Sequence, residues 1–261
     1  RRTFISDHAI DADDEDLIQQ EEMVVTVSHR GYIKRVPLDS YRAQRRGGKG
    51  KAGMKTRDED FVTRLFIANT HTPILFFTSA GIVHQLKCYK LPVTSPTSMG
   101  KAMINLLPIS TDENIQTIMP MPNETEKWDS LSVVFATSSG SVRRNKLSDF
   151  TNIRSNGKIA MKLGPTDRLI GVAPCNDESD IMLASNKGKA IRFATKDLRV
   201  FNSRDSMGVR GIKLKENDYV VSLSVLTDDE REFILAVTEN GFGKRSKSSE
   251  YRRTGRGGKG I

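Results

Sequence analysis

Met23-Val24-Val25-Thr26-Val27-Ser28-His29-Arg30-Gly31-Tyr32-Ile33-Lys34-Arg35 reads as a β-hairpin. Its first half is β-branched and almost continuously apolar, the pattern of a strand that sits inside. Gly31 supplies the positive φ that a tight hairpin turn needs. The second half alternates apolar and basic residues, which predicts that Lys34 and Arg35 lie on an exposed face.

The pattern returns along the chain. Copies read PILFFTSAGIVHQLK from Pro73, LSVVFATSSGSVRR from Leu131, DIMLASNKGKAIR from Asp180 and EFILAVTENGFGKR from Glu232. Their turn glycines, Gly31, Gly81, Gly140, Gly188 and Gly241, are separated by 50, 59, 48 and 53 residues. A second glycine element trails each hairpin: GGKG at 47–50, MGKA at 99–102, NGKI at 156–159, MGVR at 207–210 and GGKG at 257–260. Aligning Gly48, Gly100, Gly157, Gly208 and Gly258 places each 17–20 residues behind its turn glycine. Beyond it come a third strand, an acidic turn such as Glu216-Asn217-Asp218, and a fourth strand. A four-stranded sheet cannot bury both faces alone, whereas packed neighbours can. The expected fold is all-β, propeller-like, with repeats starting near 23, 73, 131, 180 and 232 and the last one incomplete. Short helical turns are expected at 147–153 and in the leader.

Formal net charge is +9, distributed unevenly. Residues 1–22, read as an acidic leader or linker, carry −6, so residues 23–261 carry +15. A basic body suggests a polyanionic partner, although charge alone is equally consistent with an unspecialised basic surface. No apolar run is long enough to span a bilayer, and the stretch that begins Arg1-Arg2-Thr3 has no hydrophobic signal core, which predicts a protein neither secreted nor membrane-bound and a cytoplasmic location. The absent initiator methionine suggests a fragment of a longer polypeptide. Cys88 and Cys175 form no CxxC pair and are expected to be buried, reduced thiols.

Residues 42–57, RAQRRGGKGKAGMKTR, hold seven basic residues, four glycines and no acid. Such a loop can lie flush against a phosphate chain, with guanidinium forks on its oxygens. A mobile, solvated loop is the bland alternative. Lys244, Arg245, Lys247, Arg252, Arg253, Arg256 and Lys259 form a related cluster. The second strands add Lys34 with Arg35, Arg143 with Arg144, and Arg192. Charges at equivalent points of a ring would trace a rim that duplex DNA can follow.

The heptapeptide Gln44-Arg45-Arg46-Gly47-Gly48-Lys49-Gly50, followed by Lys51 and set between EDLIQQEEMVVTVSHRGYIKR and EDFVTRLFIANTH, resembles the signature box of the DNA gyrase A C-terminal family. The similarity runs along essentially the whole chain. The resemblance implies a six-bladed β-pinwheel with strands exchanged between blades, and positive wrapping of DNA around its outer rim. It further implies an upstream cleavage domain in the same polypeptide and a gyrase B subunit in an A2B2 enzyme. ATP and Mg2+ are then used elsewhere in that holoenzyme, in a bacterial, nucleoid-associated setting. Four complete units and one partial unit stand here against six. The topoisomerase IV counterpart has a degenerate box, and the intact heptapeptide favours gyrase.

Nothing in the sequence suggests catalysis within this segment. There is no GxxxxGK[ST] loop, and His8, His29, His71 and His84 show neither metal-ligand spacing nor a nucleophile–base set. Tyr32, Tyr89 and Tyr219 are expected in or near the core, and Tyr41 and Tyr251 occupy equivalent places in two repeats. No cofactor or metal is expected. A propeller that binds protein partners is the competing reading, since fold alone does not decide function.

Overall fold

The computed structural model describes residues 14–41, 54–56, 59–227 and 231–261, and among these there are strands, turns and short 3-10 segments but no α-helix. The first repeat contributes β1 (Glu22–Ser28), β2 (Tyr32–Pro37) and β3 (Val62–Asn69). The second contributes β4 (Pro73–Thr78), β5 (Ile82–Lys87), β6 (Lys101–Ala102) and β7 (Ile115–Pro120). From the third come β8 (Ser132–Thr137), β9 (Ser141–Lys146), β10 (Lys158–Ile159) and β11 (Leu169–Cys175). The fourth gives β12 (Asp180–Ser185), β13 (Ala190–Ala194), β14 (Val200–Phe201), β15 (Val209–Arg210) and β16 (Val220–Leu226), and the fifth β17 (Phe233–Val237) and β18 (Gly243–Lys247). The expected helical turns are 3-10 segments at Leu147–Phe150 and Asp14–Leu17.

The chain divides into two compact units, Arg1–Ile74 with Leu86–Leu107, and Leu75–Gln85 with Pro108–Ile261. In the first unit the sheet order is β3-β1-β2-β6. The larger unit has sheets β10-β5-β4-β7, β11-β8-β9-β14 with β15 also on β9, β13-β12-β16, and the hairpin β17-β18. In each complete sheet the first, second and last strands of one repeat are joined by a short strand or bridge from the next. β6 pairs with β2, β10 with β5 and β15 with β9, while Arg253 bridges Arg192. Repeats thus interlock by exchanged strands.

Continuous apolarity in β1, β4, β8 and β12 follows from burial on both faces, whereas β17, also expected inside, is largely exposed, with Leu235 and Val237 uncovered. Val133 and Phe135 of β8 join Leu75, Phe77 and Leu147 in one core cluster, while Val134 and Ala136 join Ile181, Leu183 and Phe193 in another. Phe77 and Phe135 meet edge-to-face at 5.7 Å, an arrangement favoured by the ring quadrupole. Cys88 and Cys175 are free and buried. Tyr219, expected at the core, is 46% exposed, because it stands one residue ahead of β16 and out of phase with buried Val220.

Every hairpin is closed in the same way. The five turn glycines all have positive φ, between +79° and +88°. Three residues ahead of each stands a hydroxyl, Ser28, Thr78, Thr137, Ser185 or Thr238, whose oxygen accepts the N–H of Tyr32, Ile82, Ser141, Lys189 or Phe242 at 3.2–3.3 Å. Acidic turns staple three of these hairpins from outside. Asp60 Oδ1 accepts the Arg30 N–H at 2.9 Å, Asp167 Oδ1 the Ser139 N–H at 2.9 Å, and Asp218 Oδ1 the Lys187 N–H at 3.0 Å. These hydrogen bonds outweigh the effect of burial and hold all three carboxyls below the ordinary carboxylate value.

Candidate nucleic-acid interface

The basic second strands do not face outward as the alternation suggested. Lys34 and Arg143 are fully buried, Arg144 and Arg192 are 6% and 5% exposed, and Arg35 is half-buried. This corrects the expectation that they form an outer cationic face. The physical reason is strand exchange: a loop of the following repeat lies across each second strand and offers carbonyl oxygens to the cation beneath. Lys34 Nζ donates to the oxygens of Ser95 and Ser98 at 3.2 and 3.0 Å. Arg143 Nη1 donates to those of Arg204 and Ser206 at 2.5 and 2.8 Å. The neighbouring row reaches the 3-10 segment of the following repeat or the residue just after it, from Arg35, Arg144 and Arg192 alike, and Arg144 and Arg192 also pair with an aspartate. Arg35 reaches Leu91 O at 2.8 Å, Arg144 salt-bridges Asp177 at 2.7 Å, and Arg192 reaches Ser248 O at 2.8 Å and Asp180 at 2.6 Å. These cations lock repeat to repeat, and their charged atoms are not presented to an external phosphate.

Of the remaining expected residues, Gln44, Arg45, Arg46, Gly47, Gly48, Lys49, Gly50 and Lys51 lie outside the described residues. Lys244 and Arg245 are exposed on β18, with the Arg245 guanidinium 4.4 Å from the centroid of Phe233. Arg256 and Lys259 are exposed on the loop at 252–261.

That loop shows what the second glycine element does. Gly100 and Gly208 have φ near +80°, and a Cβ on either would fall 2.4 Å from the carbonyl oxygen of Ile33 or Val142. Only glycine lets the loop lie this flat on the preceding hairpin. In the last repeat the residue in this position is Gly260, whose Cβ would meet Ala190 O at 2.6 Å, and not Gly258. The alignment by Gly258 is therefore corrected by two residues, while Gly48 of the first repeat lies outside the described residues.

Within the larger unit the glycine loops at 152–162, 203–215 and 252–261 adjoin in series. Arg204 Nη1 donates to Ile159 O at 3.4 Å, and Arg256 Nη1 to Arg210 O at 2.6 Å. Main-chain bonds from Gly257 N to Gly211 O at 2.7 Å and from Lys213 N to Gly258 O at 2.8 Å join the last two loops. The first loop carries Arg154, Lys158 and Lys162, the second Arg204, Arg210, Lys213 and Lys215, and the third Arg252, Arg253, Arg256 and Lys259. Asp205 is the sole acid in the three segments. Arg253 is tied to buried Asp180 at 2.9 Å, but most of the others are exposed. A strip of one sign raises the local concentration of a polyanion and suits phosphate contacts that carry no sequence information. The cations of the first two loops were missed in the sequence, where no dense run marks them. Their offset from the second glycine was the available signal.

Among the described residues there is no group of three or more His, Cys, Asp or Glu that could hold a metal ion, and no helix long and apolar enough to cross a membrane.

Comparison with known proteins places this arrangement. A family model described as DNA gyrase C-terminal domain, beta-propeller, matches residues 22–69, 72–120, 132–176, 179–227 and 232–261. The chain is 48% identical to the DNA gyrase A protein of Rickettsia bellii, aligning over 100% of its own length and 34% of that protein's. Against the DNA gyrase A protein of Escherichia coli it is 44% identical over 100% of its length and 29% of that protein's. The chain thus spans about a third of the curated relatives it matches. Among solved structures, a C-terminal domain of DNA topoisomerase IV aligns over 94% of this chain and 73% of that one, with TM-score 0.79 and 26% identity. A DNA gyrase A C-terminal domain aligns over 92% and 76%, with TM-score 0.70 and 28% identity.

Proposed function

The chain belongs to the DNA gyrase C-terminal, beta-propeller family, and from that premise we propose that it binds duplex DNA without reading sequence and wraps it with positive hand. The wrap would present a second DNA segment to the strand-passage machinery and so let a gyrase introduce negative supercoils. The observation that carries this reading is the serial strip of glycine loops, cationic on successive repeats and bonded one to the next. Cations spaced along a strip can follow a phosphate backbone, release its counterions and hold it bent.

The same proposal assigns the rest of the reaction elsewhere. An upstream cleavage domain of the same polypeptide, the gyrase B subunit in an A2B2 assembly, ATP and Mg2+ complete the enzyme in a bacterial cytoplasm. This segment's residues bind and orient DNA and perform no bond chemistry. The Gln44–Gly50 heptapeptide is expected to complete the wrap.

The test is topological. The chain is bound to nicked plasmid, the nick is ligated, the protein is stripped, and the change in linking number is measured. A positive shift supports wrapping. Binding that leaves linking number unchanged overturns it in favour of a DNA-binding domain that does not wrap, and absence of salt-dependent binding overturns the DNA reading altogether.

A further inference from the structure

We propose that Arg204 and Arg256 are positioning residues, which fix the spacing of successive glycine loops instead of binding phosphate. The inference rests on the DNA-wrapping reading and adds a division of labour among its cations.

The two arginines are structurally equivalent. Each stands four residues before the glycine that lies on the preceding hairpin, Gly208 or Gly260. Their acceptors are equivalent too. Ile159 pairs with Ile82, and Arg210 with Ser141, the residues whose N–H groups meet the turn hydroxyls of Thr78 and Thr137. Twice, then, the same arginine reaches back one repeat to the same main-chain oxygen, at 3.4 Å from Arg204 and 2.6 Å from Arg256. A guanidinium engaged in this way sits across the junction between loops. Lys213 and Lys259 are exposed and carry no such tie.

The distinction matters because bending DNA costs free energy, and a bend is held only if its contacts keep fixed positions. A track whose loops slide relative to one another keeps its phosphate contacts and loses the imposed curvature. The junctions also differ. Main-chain bonds from Gly257 and Lys213 bridge the later one as well, so the earlier junction leans more on its arginine.

The test compares Arg204→Met and Arg256→Met with Lys213→Met and Lys259→Met in the 261-residue chain. Two quantities are read: the slope of log affinity against log salt, and the linking-number change on a ligated nicked plasmid. Each lysine variant should reduce the steepness of the slope by about 0.9, the value for one lost phosphate contact. Arg204→Met should leave the slope unchanged and remove roughly half of the linking-number shift, Arg256→Met less, and Arg204→Lys should restore part of it by reaching the carbonyl. The thermal midpoint, followed through Trp128, checks folding, and Arg256→Met decides the matter if Arg204→Met does not fold. A slope lowered by about 0.9 in the arginine variants, or an unchanged linking-number shift, overturns the proposal. If the parent chain wraps DNA, that outcome leaves the functional reading standing; if the parent neither binds nor wraps, the functional reading itself fails.

Discussion

At the scale of single residues, the unexpected feature is a fully buried arginine. Burial, aided by nearby Arg204 and opposed by Asp205 and Asp149, brings the Arg143 guanidinium down to about 10, so it keeps its charge at neutral pH. Carbonyl oxygens of Arg204 and Ser206 and Oδ1 of Asn145 offset the loss of water. Arg143→Met should therefore destabilise the chain by about 3 kcal/mol, because those buried acceptors lose their donor. Arg143→Lys should cost less, since Lys34 plays the same part in the first sheet; denaturant titration measures both. His84 stands at the corresponding place, six residues after its turn hydroxyl. Desolvation lowers its pKa, with Glu113 opposing. Its stabilising contribution is complete above the unfolded histidine value of about 6.5 and is lost as pH falls through the lower folded value. Thermal midpoints should fall on acidification in that window, and His84→Gln should flatten the dependence. The cations themselves were legible in the sequence, but their direction was not. Alternation in a strand gives a period without saying which phase a loop some sixty residues later will cover.

At the scale of elements, two devices repeat. Asp218 accepts hydrogen bonds from the Lys187 and Tyr219 N–H groups and the Ser185 hydroxyl at 3.0, 2.9 and 2.8 Å. Asp218→Ala should cost about 2 kcal/mol and loosen the β12–β13 hairpin. With Asp60, Asp167 and Asp218 all depressed in the folded state, stability is complete above about pH 4, the unfolded aspartate range, and lost as pH falls through the folded values. An acid titration followed by circular dichroism should show that loss, and Asp218→Asn should weaken it. The second device is the flat glycine. Gly208→Ala would force a side chain against Val142 O at positive φ and should destabilise by more than about 1–2 kcal/mol, seen as earlier unfolding in denaturant. The acidic turns and turn glycines were plain in the sequence because both are local. The exchanged strands are two residues long at β6, β10 and β15, too short to show a period, and here the pinwheel resemblance supplied what spacing could not.

At the scale of the whole chain, the excess of positive charge over residues 23–261 is +15, and the folded larger unit gathers much of it onto serial loops. Affinity for duplex DNA should therefore fall steeply with salt, by a log–log slope of about −0.9 for each phosphate neutralised. Replacing residues 44–50 with alanines should leave the thermal transition in place and retain part of the binding through the other loops. The linking-number shift should nonetheless be lost, and so should supercoiling by a reconstituted enzyme. Full supercoiling by that variant would reject the heptapeptide's role.

What the sequence determined alone was whatever depends on neighbours along the chain: the period of about fifty residues, hairpins closed by glycine, the apolar first strands, and the membership that the heptapeptide signals. Tertiary structure decided which cations are structural and which are offered outward. Lys34, Arg143 and Arg192 became locks, while Lys213, inconspicuous in the chain, came to lie on the exposed strip beside Lys259, which the sequence had already singled out. The reason is that a charged side chain's role is set by the groups that surround it, and here those groups arrive from the following repeat.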